Sequence, residues 1–134
     1  MFHFSENISV NVYFIFGYRI EALNGLPGPY VKWFIESIGH EGLYKLVEEC
    51  TNKNACALCY VAYSSGPDKN VEIFVGELTG KMIPVRGDWK FGFPSFLPDG
   101  YNLTLSEMDE VTKNNVSHRR KALDKLCIFL AQQK

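Results

Sequence analysis

"ACALCYVAYSSGPDKNVEIFVGELTGKMI", Ala55 to Ile83, decides the fold. Two runs rich in β-branched and aromatic residues, "ACALCYVAYSS" and "VEIFVGELTGKMI", flank "GPDKN", whose Gly, Pro, Asp and Asn are turn formers. Together they predict a long antiparallel hairpin. Upstream, "ISVNVYFIF", Ile8 to Phe16, has the same composition and reads as a further strand. "LNGLPGPY" breaks that strand, and Pro29 has the fixed φ suited to a first helical position. "YVKWFIESIG" then reads as a helix stopped by Gly39, and "HEGLYKLVEEC" as a second short helical piece. Beyond the hairpin, "RGDWKFGFPSFLPDG" is a turn-rich aromatic loop. Val116, Ala122, Leu123, Leu126, Cys127 and Leu130 recur mostly three or four residues apart, an amphipathic helix with Ser117 as its candidate N-cap. The order β, αα, ββ, loop, α predicts an α/β fold, a mixed sheet with a long hairpin and flanking helices.

The bulk numbers narrow the function. The 134 residues suit one domain over 1–134, and no repeat, low-complexity tract or linker divides them. A net charge of -1 supplies no overall basic field for nucleic acid or an acidic membrane, so any anion site is built locally. No stretch approaches the roughly 20 apolar residues of a membrane span. Cys50, Cys56, Cys59 and Cys127 are few and irregularly spaced, and the first residues do not resemble a secretory leader, which points to a reducing, cytoplasmic setting. Cys56 and Cys59 form a C-x-x-C, but residues three apart on a strand face opposite ways, so the pair reads as two buried structural thiols.

Three features could carry chemistry. Lys32 stands in the first turn of one helix, and "KNNVSHRRKAL", Lys113 to Leu123, crowds His118, Arg119, Arg120 and Lys121 at the start of another. A helix N-terminus already carries about half a positive charge, so cations there cost a few tenths of a kcal/mol unless an anion is near. Free N–H groups and cations together would suit a phosphate, although a lone exposed lysine is commonly a solvated one. Finally, Trp89, Phe91, Phe93 and Phe96 crowd one loop, either as core filling or as a platform on which a flat base stacks.

"GLPGPYVKWF", "RG", "FGF", "PDGY", "SEM" and "KNNVSHRRKAL", in this order, resemble the inosine triphosphate pyrophosphatase family. The likeness runs from about Ala22 to the C-terminus, leaving 1–21 as a divergent segment and 22–134 as pyrophosphatase-like. It implies a truncated version of that family's fold in a cytoplasmic homodimer. It also implies a Mg²⁺-dependent hydrolase of nucleotide metabolism, which cleaves ITP, dITP and XTP to the monophosphate and pyrophosphate. By the same resemblance, Lys32 contacts phosphate and Phe91, Gly92 and Phe93 lie at the base-contacting stretch. Lys113 reaches the nucleotide, while His118 and Arg119 read the purine's keto edge.

The chain departs from the family pattern at three places. The family's Gly-Asn phosphate turn has no counterpart, its metal-binding acidic pair falls on Phe14 and Ile15, and Trp-Asp after Phe-Gly is replaced by Phe93-Pro94. Glu21 is the acid nearest to the missing pair. No metal ligand is assigned. Two readings follow: a nucleoside triphosphate pyrophosphatase, or a catalytically silent nucleotide-binding or dimerising remnant, from a truncated gene product or a divergent paralogue.

Overall fold

The computed structural model describes residues 2–6, 10–87 and 93–133, with side chains from Asn11 onward. The hairpin forms as expected: β4 (Asn54–Ser64) and β5 (Glu72–Met82) pair antiparallel from Tyr63↔Glu72 to Asn54↔Lys81. Ser64 Oγ donates to the Gly66 carbonyl at 2.7 Å, and Lys69 N–H closes on Gly66 O at 3.2 Å, so the turn formers do shape the turn. The upstream strand, β2 (Val10–Ile20), runs past Phe16, where its sequence signal fades, and pairs with β4 from Asn11↔Ser64 to Ile20↔Ala55.

Among the described residues, six strands form one sheet. β1 (Phe2–Glu6), β2, β4, β5 and β6 (Phe96–Pro98) lie side by side in that order, and β3 (Pro27–Gly28) pairs with β2. The α/β class holds, and among the described residues every pairing is antiparallel, so the sheet there is antiparallel rather than mixed. β6 falls inside "RGDWKFGFPSFLPDG", read as loop. Pro94, Pro98 and Gly100 mask its local signal, and pairing with Gly80–Met82 overrides it.

Register fixes which side chains enter the core. Phe14, Phe16, Tyr18 and Ile20 of β2 stand beside Val61, Cys59, Ala57 and Ala55 of β4, which stand beside Phe74, Gly76, Leu78 and Gly80 of β5. On this face lie two clusters, one around Tyr18, Ile20, Leu78 and Phe96, the other around Phe14, Cys59, Val61, Ala122 and Leu126. Full burial of each large apolar side chain stabilises by about 1.5 to 3 kcal/mol. Cys56 lies on the opposite face from Cys59, and both are buried free thiols.

The helices follow the same face. α1 (Val31–Lys45) contains Gly39 at φ 72, ψ 175, a backbone bend that divides it into the two expected pieces. It starts two residues later than Pro29, because Tyr30 N–H bonds Pro27 O at 3.1 Å and a turn intervenes. Ser117 does cap α3 (His118–Ala131), its Oγ accepting from the N–H groups of Arg119 at 3.0 Å and Arg120 at 3.4 Å. α2 (Glu110–Val116), which the apolar spacing did not disclose, is capped by Asp109 and ends at Ser117. No described helix is long and apolar enough to cross a membrane.

Candidate functional site

β3 folds back on β2 through Tyr18↔Gly28 and Arg19↔Pro27, which sets the start of α1 at the margin of the core face. A cleft of about 860 Å³ opens there, walled by Phe16, Tyr30, Lys32, Trp33, Glu36 and Phe93. Lys32 is exposed, its ammonium 6.0 Å from the Trp33 ring centroid. Phe93 is half-buried, and the chain after it is pinned: Ile83 and Arg86 N–H groups bond Ser95 O and Pro94 O at 2.8 Å. Its ring stacks on Tyr18 at 4.9 Å and meets His118 and His40 at 6.2 Å each.

His118 opens α3 and is buried, 5% exposed, with its ring edge-on to Phe16 at 6.0 Å. Its carbonyl lies over Gly76 of β5, where any Cβ would collide with it. Burial, aided by the charge of Lys121, pushes its pKa down to about 4, so the imidazole is neutral near pH 7. The next residue, Arg119, is exposed and holds its guanidinium 5.6 Å from the Phe14 ring centroid, a cation–π contact. The remaining cations have protein partners. Arg120 Nε bonds Asp124 Oδ1 at 3.0 Å, and Lys121 Nζ donates to Glu77 O at 3.0 Å.

Lys32, Phe93 and His118 thus meet at or beside one cleft, and Arg119 lies next in the chain over Phe14. Lys113 is on α2, where its N–H bonds Asp109 O and its carbonyl takes the Ser117 N–H, both at 2.9 Å. Phe91 and Gly92 lie outside the described residues. Phe16, Trp33 and Glu36 also line this cleft, while Tyr18 and His40 pack against Phe93, His40 from the side of a separate cavity, none of the five having been singled out in sequence. The signal for two of them was present: Phe14, Phe16 and Tyr18 alternate, which on a strand puts three rings on one face.

The donor set does not fit Mg²⁺. Phe14 lies beneath Arg119 and Ile15 borders the cleft, and neither offers the hard oxygen that the ion prefers. Among the described residues no three His, Cys, Asp or Glu side chains converge to hold a metal. Glu21 is in a different cleft of about 650 Å³, with Arg19, Asn24, Glu77 and Asp99, so it does not replace the missing pair.

This fold, an antiparallel sheet with helices on one face, has relatives among solved structures. The Ham1 protein of Staphylococcus aureus superposes with a TM-score of 0.80 at 26% identity, over 96% of this chain and 70% of its own. A HAM1 protein of Coxiella burnetii has the same fold, with a TM-score of 0.81 over 90% of this chain and 66% of that one, at 24% identity. The chain belongs to the Ham1 family, whose model matches residues 16–129. It is 50% identical over 113 residues to the inosine triphosphate pyrophosphatase of Yarrowia lipolytica, and 49% identical to that of Candida albicans. Each alignment takes in 84% of this chain but only 60% and 56% of those relatives, so the chain spans about three fifths of their length.

Proposed function

We propose that the chain is the purine- and phosphate-holding part of a nucleoside triphosphate pyrophosphatase. Its substrates on this reading are the non-standard purine nucleotides ITP, dITP and XTP, cleaved to the monophosphate and pyrophosphate. The observation that carries the reading is that Lys32 and Phe93 line one cleft and His118 packs against Phe93 behind it, although the three are far apart in sequence. The lysine supplies charge for phosphate, the Phe16, Tyr30 and Trp33 rings that line the cleft supply flat apolar surface for a base, and a neutral imidazole beside a guanidinium supplies donors for a purine edge. Arg119 can bond a 6-keto oxygen but has nothing to offer adenine's 6-amino group, since both are donors. The protein works, on this reading, as a cytoplasmic homodimer, with Lys113 and the Phe91-Gly92 stretch also facing the nucleotide.

A second reading, nucleotide binding without turnover, is favoured by Phe14 and Ile15. Phosphoryl transfer depends on positioned charge, and binding groups that hold ground state and transition state alike do not speed it. Calorimetric titration with ITP and ATP, comparing the parent with Arg119→Ala, tests the base assignment. The expected result is a larger loss for ITP, by about tenfold for a charge-assisted bond, and equal losses would refute it. Pyrophosphate release from ITP with Mg²⁺ separates the two readings: sustained turnover supports the enzyme, and binding without release supports the silent module.

A further inference from the structure

Among the described residues, four buried polar side-chain atoms have no hydrogen-bond partner: Tyr18 Oη, His40 Nδ1, Ser95 Oγ and His118 Nδ1. Three belong to the three rings that border Phe93, and the fourth to the serine two residues further along the same turn. Leaving a buried polar atom unpaired costs about 1 to 3 kcal/mol, and such atoms are rare in folded proteins. With three of them on rings packed against one apolar ring, a phenyl group stands among side chains that suit a flat ring with nitrogen and oxygen on its edges.

We propose that Phe93 fills the base slot in the ligand-free chain, and that a purine entering from the cleft displaces its ring and pairs with Tyr18, Ser95 and His40 as well as His118. The proposal rests on the nucleotide reading above and adds these three residues as determinants of base recognition. Hydrogen bonds hold the backbone at Pro94 and Ser95, so the ring leaves by side-chain rotation into the 860 Å³ cleft that it already borders. The free chain is then only fractionally competent, and its apparent affinity is lowered by that fraction. This reverses the role expected of Phe93 as a stacking platform, because a platform helps binding and a plug opposes it.

The test is calorimetric titration with ITP of the parent, Phe93→Ala and Tyr18→Phe, with a thermal melt of each. A plug predicts that Phe93→Ala binds ITP about threefold or more tightly than the parent. Weaker binding by this variant, in a parent that binds, overturns the plug and leaves the purine reading standing. Tyr18→Phe removes one oxygen and keeps the proposal open to refutation even if Phe93→Ala fails to fold, because on this proposal Tyr18 Oη meets the purine only in the place that the Phe93 ring vacates. It is expected to raise the melting temperature, by deleting an unpartnered hydroxyl, and yet to weaken ITP binding about threefold or more. Unchanged ITP affinity in Tyr18→Phe overturns the assignment of Tyr18, since a merely structural hydroxyl would move only the melting temperature. A parent that does not bind ITP at all overturns the purine reading itself.

Discussion

The two cation-bearing helix starts are built differently. At α3, Ser117 accepts two of the free N–H groups, His118 is neutral and buried, Arg119 rests over Phe14, and Arg120 and Lys121 bond Asp124 and the Glu77 carbonyl. At α1, the cap residue Tyr30 makes no side-chain bond to the helix, and Lys32 projects into the cleft. Crowding of cations in sequence is therefore a poor guide by itself. At α3 much of it is structural, clamping a helix to β5, whereas at α1 the dipole end and its lysine lie open beside space that a ligand can take.

The sharpest way to break the contrast is at the sheet beneath each helix start. A Cβ on Gly76 would run into the His118 carbonyl and the Ala122 amide, both backbone. Gly76→Ala is expected to cost about 3 kcal/mol or more, read as a large fall in the denaturation midpoint. Gly17, under the segment that leads into α1, would place its Cβ 3.4 Å from Gly28 O, an ordinary contact. Gly17→Ala should cost under about 1 kcal/mol. Similar losses in the two variants would show that the α3 start is not held as closely as described.

Acid offers the next largest effect. His118 has a folded pKa of about 4, below the 6.5 of an unhindered histidine. Below pH 6.5 the unfolded chain takes up a proton that the folded chain refuses. Stability is therefore complete above that value and is lost as pH falls towards 4, by about 2 kcal/mol at pH 5. Lys121 adds to the shift and the flanking Phe16 and Phe93 rings carry no charge, while burial pushes His40 in the same direction against the opposing pull of Glu41. The carboxylates of Glu107 and Asp109, held low by hydrogen bonds from Thr104 and Thr112, matter only in stronger acid. Urea denaturation from pH 7 to 5 checks this, and His118→Asn should flatten most of the slope.

Ser117→Ala comes third. It removes the acceptor for the Arg119 and Arg120 amides, and loss of such a cap costs about 1 kcal/mol. α1 has no corresponding side chain to delete, so a phenylalanine at Tyr30 should leave stability nearly unchanged. A Tyr30→Phe loss as large as that of Ser117→Ala, in paired thermal melts, would show that α1 depends on a cap which the hydrogen bonds do not reveal.

Local chemistry explains what could be read in advance. The hairpin, the Gly39 bend and the Ser117 cap each rest on residues adjacent in sequence, and each appears where its residues predict it. β6 and α2 do not: Phe96–Pro98 is a strand because β5 is there to pair with it, and Glu110–Val116 shows too little apolar periodicity to announce a helix. The same boundary divides the site. Lys32 and His118 are visible as departures from the helix-dipole rule, whereas Tyr18 and His40 become neighbours of Phe93 only when separate elements meet around it. No local pattern encodes an unpaired hydroxyl, because its lack of a partner is a property of the packed state.

Lys32→Ala has the smallest expected effect on the fold and isolates the open helix start. The side chain is exposed and makes only a distant contact with Trp33, and removing a cation from the positive end of a helix dipole relieves a few tenths of a kcal/mol. Stability should therefore stay within about 0.5 kcal/mol of the parent. Binding should not. If Lys32 meets phosphate, ITP and ATP lose affinity together, because both present the same triphosphate, and the parent's stronger dependence on salt diminishes in the variant. Arg119→Ala should instead separate the two nucleotides. Titrations of both variants at low and high salt distinguish a phosphate contact from a base contact, and a Lys32→Ala protein that binds both nucleotides like the parent would leave the open helix start as surface with no ligand.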